Sequence, residues 1–177
     1  MELTIMKATP EHAAGICRVH NLTWQDTYPN QELGITIDDI KAMDLASDQK
    51  VADRKKFLSN IADDACIFVA LLAGNVGGFC LGTKFVEYNK VNSLYVLPDW
   101  HGRGIGTKLI DHIFGWFDEP KNCFLKVAAY NDKAISFYRR HGFASTGVIQ
   151  NFSRHPHGKQ IPGLIMRRDK EQFEVKG

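Results

Sequence analysis

Three glycines alternate along the stretch "HGRGIGTK", residues 101–108, between the apolar run "LYV" and a segment with helical spacing of apolar residues. Glycine leaves the backbone bare, so the first N–H groups of the following helix can approach and bind an anion. The positive end of the helix dipole also favours negative charge, by roughly 0.3 to 2 kcal/mol. The same glycines would form a tight turn without any ligand. The stretch therefore indicates either an anion site large enough for a pyrophosphate or a plain turn.

Two common phosphate-binding patterns do not fit this stretch. The nucleotide P-loop, G-x-x-x-x-G-K-[ST], needs a second glycine five residues after the first, but Thr107 stands at that distance from Gly102. The dinucleotide pattern, G-x-G-x-x-G, needs its third glycine one residue later than Gly106 and an acidic residue about twenty positions further on. Near that offset the chain reads "FLKVAA". These mismatches argue against a nicotinamide-dependent oxidoreductase.

A third pattern fits both this stretch and a second one. "LYVLPDWHGRGIGTKLI" followed by "NDKAISFYRRHGF" resembles the two central motifs of the GNAT superfamily of N-acetyltransferases, which use acetyl-coenzyme A. In the first motif Gly104 and Gly106 match the family, whereas His101 stands where the family usually has Gln or Arg. Two motifs in the right order are far more specific than either alone. The second motif is matched by Asn131, Ala134, Phe137, Tyr138, Gly142 and Phe143.

This resemblance implies an α/β (α+β) fold and a place for the cofactor. We expect a mixed, mostly antiparallel sheet of about seven strands flanked by helices and splayed between strands 4 and 5. "VNSLYV" and "CFLKVAA" would be these two strands, and the cofactor motifs occupy 91–143. The pantetheine arm would pair with the backbone of three residues, one of whose amides polarises the thioester carbonyl: Leu94, Tyr95 and Val96. The pyrophosphate would be held by the backbone amides of Gly102, Arg103, Gly104, Ile105, Gly106 and Thr107.

The resemblance also suggests roles for two side chains of the second motif. Asn131 would bind the pantetheine arm, although a helix N-cap would use the same side chain. Tyr138 would be the general acid that protonates the departing coenzyme A thiolate, whereas the competing interpretation is a core tyrosine one turn after Ala134. A phenol with a pKa near 10 is protonated at neutral pH, and transfer to a thiolate with a pKa near 8.5 is uphill by only about 2 kcal/mol.

The catalytic base is less well defined by the sequence. A lysine-like amine with a pKa near 10.4 costs roughly 4 to 5 kcal/mol to deprotonate at pH 7, whereas an α-amine costs about 1 kcal/mol. Many members of the family place a carboxylate on or beside strand 4, but "VNSLYV" contains none. Glu87, just upstream, is the candidate base. The alternatives are an exposed hairpin charge at Glu87 and a water chain that ends at a backbone carbonyl.

By the resemblance, the acceptor enters between the first helices and the last pair of strands. Trp24 and Tyr28 would line its pocket, although aromatic residues at helical spacing are also typical of a core. We expect transfer of acetyl to a primary amine by direct attack in a ternary complex, without a metal. The acceptor would be a small amine, a polyamine or a peptide N-terminus. The alternative function is a non-catalytic acyl-coenzyme A binding or sensing module, which would not need an acid at Tyr138.

The elements that must position these residues follow from periodicity. "LTIMKA" predicts a first strand, Pro10 the start of a helix, and 37–61 one or two further helices. From Cys66 a β-rich meander begins, with a tight hairpin at Gly74 and Asn75. A helix is predicted from Gly104 to the stop at 118–120, and another over "NDKAISFYRRHG". "FASTGVI" and "GLIMRR" complete the sheet.

Length and composition bound the remaining possibilities. The 177 residues suit a single domain, 1–177, with 170–177 as a loose tail. Lysine and arginine total 22 against 20 acidic residues, without a basic run interleaved with aromatics, so we expect no nucleic-acid partner. We expect no membrane partner and a cytoplasmic location, because no leader pattern or long apolar run is present. A homodimer is common in the family. The four separated cysteines predict buried free thiols: Cys17, Cys66, Cys80 and Cys123.

Overall fold

A computed structural model describes residues 2–153 and 156–172. The strands are β1 (Leu3–Lys7), β2 (Ala65–Leu72), β3 (Asn75–Lys84), β4 (Asn89–Val96), β5 (Cys123–Ala128), β6 (Ala144–Ile149) and β7 (Gly163–Arg168). The α-helices are α1 (Ala13–Thr27), α2 (Ile37–Lys41), α3 (Asp48–Ser59), α4 (Ile105–Phe117) and α5 (Asp132–Arg140). Short 3-10 turns occupy Pro10–His12, Pro98–Trp100, Pro156–Gly158 and Lys170–Gln172.

The strands form one seven-stranded sheet in the order β1-β2-β3-β4-β5-β7-β6. Neighbouring strands are antiparallel except β4 and β5, which run parallel. These two strands pair only where 89–91 lies against 123–125, and they separate beyond that point. A bulge next to this point shifts the register of β4 against β3. As a result, no residue of β3 stands opposite Asn92. The predicted sheet, with its splay between strands 4 and 5, is confirmed.

Helices cover both faces of the sheet, which explains why the strand "ACIFVALL" is apolar throughout. Cys66, Phe68 and Ala70 of β2 pack in one core cluster with α4 and α5, whereas Ile67 and Val69 pack in another with α1 and α3. Helix α4 contributes a fully buried stripe at the predicted fourfold spacing, which anchors it against β2, β3 and β4. The stripe consists of Ile105, Leu109, Ile113 and Phe117.

The hairpin between β2 and β3 differs from the prediction by one residue. Its two-residue loop is Ala73–Gly74, with φ of 49° and 77°, and Asn75 already belongs to β3. Positive φ at both loop residues is what the twist of a two-residue hairpin requires. Alanine is an unusual residue for this conformation, which is why the sequence pointed to the following pair instead.

The end of the chain and the cysteines can also be compared with the predictions. Residues 170–172 form a turn rather than a loose tail, because Nη2 of Arg168 donates to the carbonyl of Gln172 at 2.8 Å. The rest of the predicted tail, 173–177, lies outside the described residues. All four cysteines are free and buried, as predicted. In the described part of the chain, no helix is long and apolar enough to cross a membrane.

Candidate active site

A cleft of about 660 Å³ opens where β4 and β5 separate. Its walls are the diverging segments 92–96 and 125–128 of these strands. The loop before α4 and the first turn of that helix close one end, and α5 lies along the side. The last turns of α1 lie at the other end. The cleft therefore connects the two sequence motifs with the aromatic region at the end of α1.

The loop before α4 offers a row of unused backbone donors. Gly102 and Gly104 have φ of 75° and 71°, a left-handed conformation that favours glycine. The first bond of the helix runs from Lys108 N–H to the carbonyl of Gly104 at 3.0 Å. Within the described residues, none of the amides of 102–107 donates a backbone or side-chain hydrogen bond. All of these residues except Arg103 line the cleft, so the arrangement can bind an anion.

Close packing of α4 against α5 limits side-chain size at the third glycine. A Cβ at Gly106 would approach the ring of Phe137 to 3.3 Å. A Cβ at Gly102 or Gly104, by contrast, would meet nothing within 4 Å. The first two glycines are thus required for backbone conformation, and the third for the approach of two helices at the cleft wall.

The splayed edge of β4 provides further backbone groups. Leu97 N–H donates to Gly77 at 2.8 Å, and the antiparallel register pairs Tyr95 with Phe79. Because peptide groups alternate in direction along a strand, those of Leu94 and Val96 turn toward the cleft. The Val96 carbonyl is already engaged by a side chain, as described below. The N–H groups of these two residues and the Leu94 carbonyl are therefore available to a strand-like ligand.

Tyr138 lies in the wall of the cleft, with only 8% of its surface exposed. The rings of Phe137 and Phe143 contact its ring edge-on, with centroids at 5.3 and 5.8 Å. Burial raises the pKa of Tyr138 well above its usual value, with smaller contributions from Cys80 and Tyr95. Its hydroxyl makes no hydrogen bond with any described residue. A protonated hydroxyl is thus available to donate into the cleft.

Asn131 acts as the N-cap of α5. Its Oδ1 accepts from Ala134 N–H at 3.0 Å. The side-chain Nδ2 donates to no described residue, and Asn131 lines the cleft. The two roles predicted for this residue are therefore compatible, since they use different atoms of one carboxamide.

An aromatic group closes the end of the cleft near α1. Tyr28 lines the cleft, and its hydroxyl lies 3.3 Å from that of Tyr95. Burial raises the pKa of Tyr28, as does the neighbouring Tyr95. Trp24 lies behind these rings, 3% exposed, and its Nε1 donates to the Tyr95 hydroxyl at 3.0 Å. Trp24 therefore supports the wall and does not line the cleft, in contrast to our expectation.

The predicted base is not brought to this site. Glu87 is exposed in the turn between β3 and β4 and is not among the residues of the cleft. The paired segment 89–91 lies between Glu87 and the point where the strands separate. The carboxylates that do line the cleft are Asp26 of α1 and Asp132 of α5.

Several charged and aromatic residues of the cleft were missed by the sequence analysis. Asp26 lies between Trp24 and Tyr28 in the sequence, and Lys133 lies inside the second motif. The positions of both residues therefore pointed to the site. Trp100 lies inside the first motif, and Asp132 and Arg140 lie inside the second. The other missed residues come from segments that only the fold brings together: Lys126, Tyr130 and Phe152.

In the described residues, no three His, Cys, Asp or Glu side chains are arranged to hold a metal ion. The residues of the cleft do fit coenzyme A, which combines a pyrophosphate with an extended amide-containing arm. Unpaired amides at 102–107 suit the first part, and the open edge of β4 suits the second.

Comparison with known proteins agrees with this geometry. The profile of the Acetyltransferase (GNAT) family matches residues 18–143. The chain therefore belongs to the GNAT acetyltransferase family.

Two curated relatives align with part of the chain. An uncharacterized N-acetyltransferase of Methanocaldococcus jannaschii is 30% identical over 90 residues, covering 49% of this chain and 58% of that protein. The N-alpha-acetyltransferase RimI of Mycobacterium tuberculosis is 33% identical over 99 residues, covering 55% of this chain and 60% of the relative. The alignments thus span about three fifths of these relatives.

Solved structures share the fold over nearly the whole chain. The PaiA N-acetyltransferase of Thermoplasma acidophilum, in complex with coenzyme A, has a TM-score of 0.71 at 20% identity, covering 96% of this chain and 99% of that one. The putative acetyltransferase YncA of Salmonella typhimurium, with its cofactor acetyl-CoA, has a TM-score of 0.66 at 18% identity, covering 96% and 95%. At these identities the likeness concerns the fold.

Proposed function

We propose that this protein transfers the acetyl group of acetyl-coenzyme A to a primary amine by direct attack in a ternary complex. The observation that carries the proposal is that three features lie in the same cleft. These are the unpaired amides at 102–107, the open edge of β4 and the free hydroxyl of Tyr138. A pure binding module would need the first two features only.

The chain's own groups divide the binding of the cofactor between them. Acetyl-coenzyme A supplies an activated thioester. The amides of 102–107 hold its pyrophosphate, and the peptide groups of Leu94 and Val96, together with Nδ2 of Asn131, hold the pantetheine arm. An amide within 94–96 would stabilise negative charge on the thioester oxygen.

Tyr138 keeps its proton at neutral pH because burial disfavours the phenolate. The same raised pKa makes full proton transfer to the leaving sulfur more uphill than for an ordinary tyrosine, so the hydroxyl acts first as a hydrogen-bond donor to that sulfur while negative charge develops on it. Protonation of the thiolate stops the reverse attack, while the proton that the amine nitrogen loses on forming the amide passes to solvent, from which Tyr138 regains its own.

The acceptor binds at the α1 end of the cleft. Thr23, Asp26 and Thr27 line this end on one side, with Tyr130 and Phe152 on the other. The Asp26 carboxylate is exposed and has no ion pair with a described residue, so it attracts a protonated amine. These features support a small amine or a peptide N-terminus as the acceptor.

The test is a measurement of thiol release from acetyl-coenzyme A in the presence of a panel of amines. The panel contains an α-amino peptide, a diamine, a polyamine and an uncharged hydroxylic acceptor, and mass spectrometry identifies the product. We expect release that depends on one of the amines and yields the N-acetyl product. Binding of acetyl-coenzyme A without amine-dependent release would instead indicate an acyl-coenzyme A binding module.

Asp26 provides a second test at the acceptor end. We expect Asp26→Asn to raise KM for the amine by about 1.5- to fivefold, since an exposed ion pair contributes about 0.2 to 1 kcal/mol. The affinity for coenzyme A should not change. Asp63→Asn, an exposed carboxylate in the turn before β2, is the control. Equal KM values for the two variants would remove Asp26 from the acceptor site.

A further inference from the structure

His101 occupies the position where the first motif usually has Gln or Arg, and its ring joins three elements at one end of the cleft. Nε2 lies 2.8 Å from the Val96 carbonyl at the end of β4. Nδ1 lies 2.9 Å from Nζ of Lys133 in the first turn of α5. The ring itself belongs to the loop before α4. It therefore connects β4, this loop and α5.

The chemistry of the two partners fixes the protonation of the ring. A carbonyl oxygen only accepts, so Nε2 carries the hydrogen and donates to Val96. An ammonium group only donates, so Nδ1 is unprotonated and accepts from Lys133. In this arrangement the ring accepts a hydrogen bond from Lys133 and orients its side chain. Two further N–H donors remain on the ammonium group.

The ammonium group of Lys133 lies 2.9 Å from the ring of His101, the residue that directly precedes the unpaired amides. Lys133 and His101 both line the cleft, together with Gly102, Gly104 and Thr107. Within the described residues, Lys133 has no ion pair with a carboxylate. Its positive charge is thus uncompensated at the end of the cleft that the amides make suitable for an anion.

We infer that Lys133, oriented by His101, binds the pyrophosphate of acetyl-coenzyme A and supplies the side-chain contact for which the first motif has no Gln or Arg. The inference rests on the proposed function, because it requires the cofactor in this cleft. His101 is a positioning residue that acts through Lys133.

A purely structural role for the pair would be weak. Both side chains are exposed in the free protein. An exposed contact between long polar side chains contributes little to folding stability. A bound phosphate, by contrast, would cover the pair and turn it into a charge-assisted contact. The effect of a substitution should therefore be seen in ligand affinity and not in thermal stability.

The experiment is an isothermal titration with coenzyme A and with dephospho-coenzyme A, which lacks the 3′-phosphate but keeps the pyrophosphate. For Lys133→Met we expect about tenfold weaker binding of both ligands, equivalent to about 1.4 kcal/mol. Lys56→Met, at an exposed lysine of α3 outside the cleft, is the matched control and should bind like the wild type. Thermal unfolding without ligand should be the same for all three proteins.

Variants of His101 test the positioning role. His101→Phe removes both hydrogen bonds and should weaken binding severalfold, but it should have little further effect in a Lys133→Met background. His101→Gln should bind within about twofold of the wild type, because a carboxamide can donate to Val96 and accept from Lys133. Additive losses in the double variant, or failure of glutamine to replace histidine, would overturn the coupling.

The outcomes separate this inference from the proposed function. If the wild type does not bind coenzyme A, both are wrong. If the wild type binds and Lys133→Met binds equally well, only the inference is wrong. If Lys133→Met weakens the binding of coenzyme A but not of dephospho-coenzyme A, the lysine contacts the 3′-phosphate. The assignment of Lys133 to the pyrophosphate is then overturned.

Discussion

Tyr138 combines two properties at the residue scale that are rarely found together in a core tyrosine. Its ring is packed between Phe137 and Phe143, but its hydroxyl has no hydrogen-bond partner among the described residues. The hydroxyl oxygen is not one of the buried unpaired atoms of the described residues, so it is accessible from the cleft. A ligand in the cleft would supply this partner.

We predict that Tyr138→Phe lowers kcat about hundredfold or more, the usual range for loss of a general acid. The phenylalanine ring keeps the packing, so the affinity for acetyl-coenzyme A should stay within about twofold. Steady-state kinetics and a binding titration measure the two effects separately. Tyr88→Phe, in the turn between β3 and β4, is the control outside the cleft.

The pH profile gives a second readout for the same residue. Because burial raises the pKa of Tyr138, the proton is retained above the usual tyrosine value of about 10. The wild-type rate should therefore rise with pH as the amine loses its proton, without a decline below about pH 10. Unchanged turnover in Tyr138→Phe would contradict the assignment of the general acid. A decline of the wild-type rate below about pH 10 that this variant abolishes would instead contradict the raised pKa.

Residues inside the motifs were predictable from the sequence, and residues outside them were not. Asn131 caps the helix that carries Tyr138, and along a helix the spacing alone determines which side chains share a face. Glu87 was chosen for its nearness in sequence to β4, but the cleft opens only beyond the paired segment of that strand. Trp24 and the C-cap residue Tyr28 lie one turn apart and both contact the Tyr95 hydroxyl, but only Tyr28 lines the cleft.

At the scale of elements, an ion-pair cluster joins α2 to the segment before β7. The Asp39 carboxylate accepts hydrogen bonds from Nζ of Lys159 at 2.6 Å and from Thr36 N–H at 2.7 Å. Nδ1 of His157 lies 3.2 Å from the other carboxylate oxygen. The hydrogen bond from Lys159 and, to a lesser extent, those from Thr36 hold the pKa of Asp39 well below its usual range. The cluster fixes the chain next to Ile161, which packs with the aromatic wall of the acceptor end.

We predict that Asp39→Asn lowers the melting temperature at pH 7. A lowered pKa in the folded state means that ionised Asp39 stabilises the fold above the unfolded value of about 4. This contribution is lost as the pH falls below that value toward the folded pKa. The difference from the wild type should therefore shrink in thermal unfolding experiments below about pH 4.

Asp38→Asn is the control for this prediction. Asp38 is the preceding residue of α2, with 88% of its side chain exposed and only a 4.0 Å contact with Lys41. The Asp38→Asn substitution should change the melting temperature little, both at pH 7 and below about pH 4. If the melting temperatures of Asp39→Asn and the wild type differ by the same amount at every pH, the charge of the Asp39 carboxylate is not the cause of the difference.

Regular elements were predicted well where their periodicity was strong. The apolar stripe of α4 and the strands of the meander were evident, because each is defined by residues close in sequence. The bulge at Asn92 was not evident from the sequence, because it depends on the register of β4 against β3. The short helix α2 depends on its cap: Oγ1 of Thr36 accepts from Asp39 N–H, and the Asp39 carboxylate accepts from Thr36.

At the scale of the whole molecule, one departure from a regular sheet creates the site. Among the described residues, six neighbouring strand pairs form the sheet, and the parallel β4–β5 pair separates after three paired residues. The helices that follow these two strands, α4 and α5, start at the cleft, so both N-termini face the same space. The resemblance predicted this arrangement, which local periodicity alone would not have produced. The single domain over 1–177 and the homodimer stay predictions.

The central claim is that this cleft binds acetyl-coenzyme A, and an isothermal titration of the purified protein tests it most directly. NAD serves as the control ligand, because it also carries a pyrophosphate but lacks the pantetheine arm. We predict saturable binding of acetyl-coenzyme A and no binding of NAD. Failure of the folded protein to bind acetyl-coenzyme A, or equal binding of NAD, would contradict the account and reduce the glycines of 102–106 to a turn.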